Sequence, residues 1–206
     1  MDVSFPALGS LAQSVLISAM FNGEHRINVA QRLFELGLQY RRARTVAHEI
    51  SGCGIAVVNW GIKGYLVELD EPLIAWCVAL PLLRSPVRQI VRTAHRANLP
   101  EYVRLAGTTA LACIVGSTPP ATRRLAIFSE DADGYFDCSS PPSLTVDHLD
   151  EVELWSIPPA AIAQGICHVD PLSLFLCLRG LSERPNLAEL RRVIGELLQV
   201  HHAASC

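Results

Sequence analysis

The longest apolar run, "PLIAWCVALPLL" at residues 72–83, constrains the fold more than any other stretch of the chain. Its twelve residues, interrupted by Pro81, are too few to cross the roughly 30 Å hydrocarbon layer of a bilayer as a helix. Protein must therefore cover that surface, and the run is predicted to be a buried helix. Half of the 206 residues are hydrophobic and 18% are charged, which supplies a core for one large domain or two small ones and excludes a disordered chain.

The remaining pattern alternates short helical and short extended segments. Residues 7–20 read as a first, mostly apolar helix. Asn28 is placed to cap a second, with Val29, Leu33, Phe34 and Leu36 on one face and Gly37 ending it. "RRARTVAHEISGCG" reads as a further short helix stopped by Gly52 and Gly54. "IAVVNWG" and "GYLVELDEP" read as a hairpin turning over residues 59–64. Helix, helix, hairpin is the outline of a winged helix-turn-helix. Pro86 then opens a segment, "PVRQIVRTAHRAN", predicted to be helical, with Arg84, Arg88, Arg92 and Arg96 recurring every four residues on one face. A strand end through Leu105, a turn at Gly107 and a helix from about Thr109 follow, then the loop "GSTPPATRR" and the strand "LAIFS". "EDADGYFDCSSPPS" reads as an acidic loop, Val152 to Trp155 as a strand, and residues 160–181 as helical around Asp170-Pro171. "PNLAELRRVIGELLQV" is the clearest helix, with Asn186 and Glu189 as a capping pair and Leu187, Leu190, Ile194, Leu197 and Leu198 on its core face. The expected class is α+β. Residues 1–85 form a helical and hairpin part, and residues 86–206 a small mixed sheet with flanking helices.

A net charge of −3 offers no bulk attraction to nucleic acid or membrane, but the cations are unusual: Lys63 is the sole lysine among 17 basic residues. Arginine is the better phosphate ligand. Arg41, Arg42 and Arg44 in "YRRAR", and Arg88, Arg92 and Arg96 in the stripe, are therefore candidate contacts to a nucleic-acid backbone, with a solvated charged face as the alternative. No helix carries the set of Asn, Gln and Arg that strong base readout would use. The seven cysteines are odd in number and include no Cys-x-x-Cys, which points away from zinc and from a secreted disulfide frame, and toward a reducing, cytoplasmic setting. Asp2 and the lack of a basic leader region predict no signal peptide. His48 beside Glu49, and His95, have no accompanying nucleophile motif, so no catalytic residue, metal or cofactor is assigned.

Three blocks carry a resemblance. "LAGTTALA" (105–112), "RLAIFSED" (124–131) and "SIPPAAIAQGICHVDPLSLFLCL" (156–178) are, in order, similar to segments of the abortive-infection type of minimal nucleotidyltransferase. That resemblance implies a phosphate-binding strand-to-helix turn at Gly107, Thr108 and Thr109, and a role in a toxin–antitoxin or phage-defence system that binds nucleotide or nucleic acid. It also exposes departures. Arg124 and Ala126 stand where the family places its metal-binding aspartates, Gln164 near its lysine, and Ser173 at its second aspartate. Weak or absent catalysis is expected, and Glu130, Asp131 and Asp133 just beyond the strand read as solvated. "GIAVVNWGIKGYLVELDEP" and "LPLLRSPVRQIVRTAHRANLP" resemble segments of polerovirus silencing suppressors, the second their F-box-like segment. That implies instead an adaptor for a protein partner, docking through an amphipathic helix.

Overall fold

The structure, a computed structural model, describes residues 7–61, 64–69, 71–95, 98–137, 149–180 and 187–203. It is an α+β fold with two small sheets. The chain divides into two compact units, Met1–Arg84 with Arg192–Cys206, and Ser85–Arg191.

In the first unit α1 (Ser10–Phe21) is almost wholly buried, which explains why its sequence shows so little amphipathic contrast. β1 (Arg26–Asn28) leads into α2 (Val29–Glu35), whose cap is the side chain of Asn28 accepting from Gln31 N at 3.2 Å. Gly37, at φ +70°, turns the chain into a 3-10 turn over Tyr40–Arg42 and then α3 (Ala43–Gly52). β2 (Ala56–Gly61) and β3 (Gly64–Leu69) form the expected hairpin, with residues 62 and 63 of its turn outside the described residues. The short β1 was not foreseen. It pairs antiparallel with β3 and makes a sheet of order β1-β3-β2, where Arg26 lies opposite Glu68 and joins it at 3.0 Å. α4 (Pro72–Ala79) is the helix of the long apolar run. Its burial is one-sided: Ala75, Trp76 and Ala79 face the interior, while Ile74 and Val78 are exposed.

The second unit is built on a four-stranded sheet of order β4-β7-β6-β5. Its strands are β4 (Val87–Ala94), β5 (Arg104–Leu105), β6 (Arg124–Phe128) and β7 (Leu149–Trp155). β4 corrects the helix expected over residues 86–98. Val87, Ile90, Val91 and Thr93 are β-branched, and the segment takes its place by pairing antiparallel along the whole of β7. β5 and β6 are antiparallel neighbours, Arg104 opposite Ala126 and Leu105 opposite Leu125, and β6 runs parallel to β7.

α5 (Gly107–Val115) follows β5 after one residue, Ala106, and packs on β6. α6 (Ala132–Asp137) occupies part of the stretch read as an acidic loop, and residues 138–148 lie outside the description. α7 (Pro159–Ile162) and α8 (Pro171–Leu178) supply the expected helical segment, with Asp170 as the cap of α8. One sheet face buries Val103, Leu125, Ile127, Tyr135 and Val152 as a core. α9 (Leu187–Ala203) has Leu190, Ile194 and Leu198 buried as its pattern predicts, while Asn186 falls outside the described residues. Its later residues belong to the first unit, so that unit takes in part of the segment read as one domain with residue 86 onward.

Candidate functional site

In the first unit the apolar spacing of α3 fixes what it shows to solvent. Ala43, Val46, Ala47 and Ile50 recur at helical intervals and are buried. The helix packs through them on α1, α2 and the β2–β3 hairpin. The opposite face is left with Arg44, Thr45 and His48, all exposed. Arg41 and Arg42 are exposed in the 3-10 turn just before α3. Three arginines in four residues therefore lead into the helix, Arg42 as its N-cap and Arg44 in its first turn, which has no acid. Cations there oppose the helix dipole, at a cost of roughly 0.3–1 kcal/mol each when unpaired. At the other end of the helix, Glu49 accepts a hydrogen bond from Gly9 N.

In the second unit the face of the sheet opposite its core is charged. Alternation along the strands places Arg124, Glu151, Glu153 and Trp155 on this face. The Arg124 guanidinium binds the Glu151 carboxylate, through Nε at 3.0 Å and through NH2, and lies 3.7 Å from Glu153 Oε1. Glu153 is buried and accepts from Trp155 Nε1 at 2.9 Å. Arg92 reaches Glu151 from β4 at 3.4 Å. The hydrogen bond from Arg124 holds the Glu151 carboxyl below its usual range. Burial pushes Glu153 up despite its bond to Trp155 and the nearby arginine. Burial also drives the Cys177 thiol of α8 well up. A separate group lies at Asp150, which is fully buried. Arg123 NH2 donates to it at 2.6 Å and His95 Nδ1 lies 3.1 Å away.

The turn expected to cradle a phosphate lies against this charged face. Gly107 has φ +52°, and a Cβ placed on it would stand 2.3 Å from Arg124 Cδ, so the aliphatic part of Arg124 covers that side of the glycine. Ala106 N donates to Arg124 O at 2.9 Å, and Arg124 N donates to Thr109 Oγ1 at 2.9 Å. Gly107 and Thr109 are buried. Thr108 is exposed and lines a groove of about 320 Å³ together with Leu111, Ala112, Val115, Ser117, Thr118 and Pro120.

The arginine stripe is not a helix face. Arg88 sits at a β-bulge and Arg92 on the strand that follows, paired with Glu151, while Arg96 lies outside the described residues. The amphipathic docking helix that the adaptor reading needs is absent over 87–94 for the same reason. Glu130, Asp131 and Asp133 are placed around the start of α6, and all three are exposed. Among the described residues no three His, Cys, Asp or Glu side chains are grouped to hold a metal ion, and no helix is long and apolar enough to cross a membrane. The sequence reading missed Glu151 and Glu153 as partners of Arg124. The signal was present in the alternation of "DEVELW", where two acids two residues apart fall on one face of a strand.

Asp170 gives the second unit a measurable pH dependence. It is fully buried, its Oδ1 accepts from Ser173 N at 2.7 Å, and its Oδ2 has no partner among the described residues. Burial raises its pKa to about 6, against 3.8 for an ordinary aspartate. Below the lower value the group is protonated in both the folded and the unfolded chain and costs nothing. As pH rises from 3.8 to about 6 the folded state is increasingly penalised, by about 3 kcal/mol at neutral pH, where the penalty has levelled off. Asp170→Asn keeps the capping oxygen and removes the charge. Urea midpoints should therefore match wild type at pH 4 and exceed it at pH 7.5. An equal difference at both pH values would show that Asp170 does not carry this proton.

Comparison of the chain with protein-family models, with curated proteins and with solved structures returns no match.

Proposed function

We propose that this chain binds double-stranded DNA through a winged helix-turn-helix in its first unit, with α3 entering the major groove and the β2–β3 hairpin serving as the wing. One observation carries the reading. The order α1-β1-α2-α3-β2-β3 builds a small antiparallel sheet behind α3 and leaves that helix with an outer face of Arg44, Thr45 and His48, led by Arg41 and Arg42. Helix-turn-helix proteins read base edges with the N-terminal part of the second helix and hold the backbone with flanking cations. Three arginines at the start of a helix are unfavourable for the helix itself, and an array of phosphates turns that cost into a gain.

In this reading the second unit performs no nucleotidyl transfer. A minimal nucleotidyltransferase needs carboxylates where this chain has Arg124 and Ala126, and Arg124 instead neutralises Glu151 and Glu153 from within the protein. The protein then acts as a DNA-binding regulator, the kind of component that the resemblance to phage-defence and toxin–antitoxin proteins implies.

Fluorescence anisotropy with a labelled random-sequence duplex tests the proposal. Affinity should fall steeply with salt. Changing Arg41, Arg42 and Arg44 together to Ala should weaken binding about 30-fold or more at low salt. It should also flatten the log–log salt slope by about 2–3, near 0.9 for each phosphate that is no longer neutralised. Binding that is absent at low salt, or whose slope is unchanged in the triple variant, would overturn it.

A further inference from the structure

We infer that an exposed aromatic pair, Phe34 and Tyr40, reads thymine methyl groups in the DNA that α3 engages. The inference rests on the DNA-binding reading and adds to it a base preference. Phe34 is 71% exposed and Tyr40 50% exposed, the two most exposed aromatic side chains among the described residues. Their ring centroids are 6.4 Å apart with planes at 75°, an edge-to-face contact that holds each ring in place.

The core of the first unit does not use Phe34. The buried residues at this end of α2 are Leu33 and Leu36, and Phe34 projects away from them. An apolar ring of this size left in water forfeits a burial gain that covering it on binding would recover.

The position of the pair selects the occupant. Tyr40 is the first residue of the turn that leads into α3, and Phe34 reaches it from the end of α2. Both rings therefore stand at the end of α3 that a helix-turn-helix presents to base edges. Arg41 and Arg42 follow Tyr40 directly and are exposed, so whatever covers the rings lies beside two cations and is favoured if it carries negative charge. In the major groove only the A·T pair presents a methyl group, and an aromatic side chain is one of the groups that contacts it.

The test is a selection from a pool of random duplexes of roughly 20 base pairs, two helical turns. The enriched duplexes are then remade with deoxyuridine, which lacks only the methyl group, in place of each thymidine. For wild type, one or two positions should show about a five-fold drop in affinity on demethylation. Phe34→Ala should erase that discrimination, and Phe34→Leu should keep most of it. Arg44→Ala should weaken binding while leaving the discrimination intact. If enriched duplexes bind with steep salt dependence but no position responds to demethylation, the aromatic inference fails and the DNA-binding reading stands. If no duplex is enriched and no salt-dependent binding exists, both fail. If Phe34→Ala changes only the sedimentation mass of the protein alone, the pair is a contact between copies and the inference is overturned.

Discussion

Arg124→Met should lower the unfolding free energy by about 3–5 kcal/mol at neutral pH, measured as a drop in the urea midpoint at constant slope. The side chain is 23% exposed, and it serves two carboxylates on the neighbouring strand. One of them, Glu153, is 3% exposed as a side chain and is already held above its usual range by burial. Methionine can fill the aliphatic volume beside Gly107 but offers no charge, so Glu153 would either remain ionised without its cation or take up a proton. The sign of the pH dependence follows. A carboxyl whose folded pKa is raised costs the folded state nothing at acid pH, and its penalty grows as pH rises. The destabilisation in Arg124→Met should therefore be largest above neutrality and shrink below about pH 5. Adding Glu153→Gln, which keeps an acceptor for Trp155 Nε1, should recover part of it. A change of under about 1 kcal/mol that does not vary with pH would mean the guanidinium is a solvated surface group and that the charged face is not locked.

The same residue shows why the site was only partly legible in the sequence. The strand around "LAIFS" and the turn at Gly107 were readable because each is local: a short apolar run in one case, a glycine before a helix in the other. Their pairing as neighbours, and the acids that meet Arg124, depend on β7 lying beside β6, a contact between residues 27 positions apart in sequence. No periodicity records such a contact. β4 was misread for a related reason. Its Val87, Ile90, Val91 and Ala94 fit a helical face as well as a strand, and arginines four apart align on one face in either state. The β-branched residues and the antiparallel partner decided for the strand. In the first unit the helices and hairpin were legible from caps and turn residues, whereas the three-residue β1 was not, because a strand that short exists only through its pairing with β3. The outer face of α3 could be read once its boundaries were known. The arginines of "YRRAR" stand out in the sequence, but only the packing of Val46, Ala47 and Ile50 shows that Thr45 and His48 accompany them.

Gly107→Ala should cost about 3 kcal/mol, and the way that cost divides tests how the corner is built. Part of it is backbone. At φ +52° an L-residue pays roughly 1–2 kcal/mol whatever surrounds it. The rest is overlap, since the new methyl would stand 2.3 Å from Arg124 Cδ and 3.2 Å from its Cγ. A surface arginine would swing aside at little cost. This one is bound through its guanidinium to Glu151 on the neighbouring strand, so moving it breaks bonds that the strand pairing has set. Overlap of this kind in a packed site typically costs about 1–3 kcal/mol. A double-mutant cycle separates the two parts. In an Arg124→Ala background the overlap disappears and only the backbone part remains, so Gly107→Ala should then cost about 1–2 kcal/mol, with a coupling of about 1 kcal/mol or more between the sites. Additive costs would show that Arg124 yields freely. The corner would then be open to a ligand, and the closed, non-catalytic reading of the second unit would be left without its geometric basis.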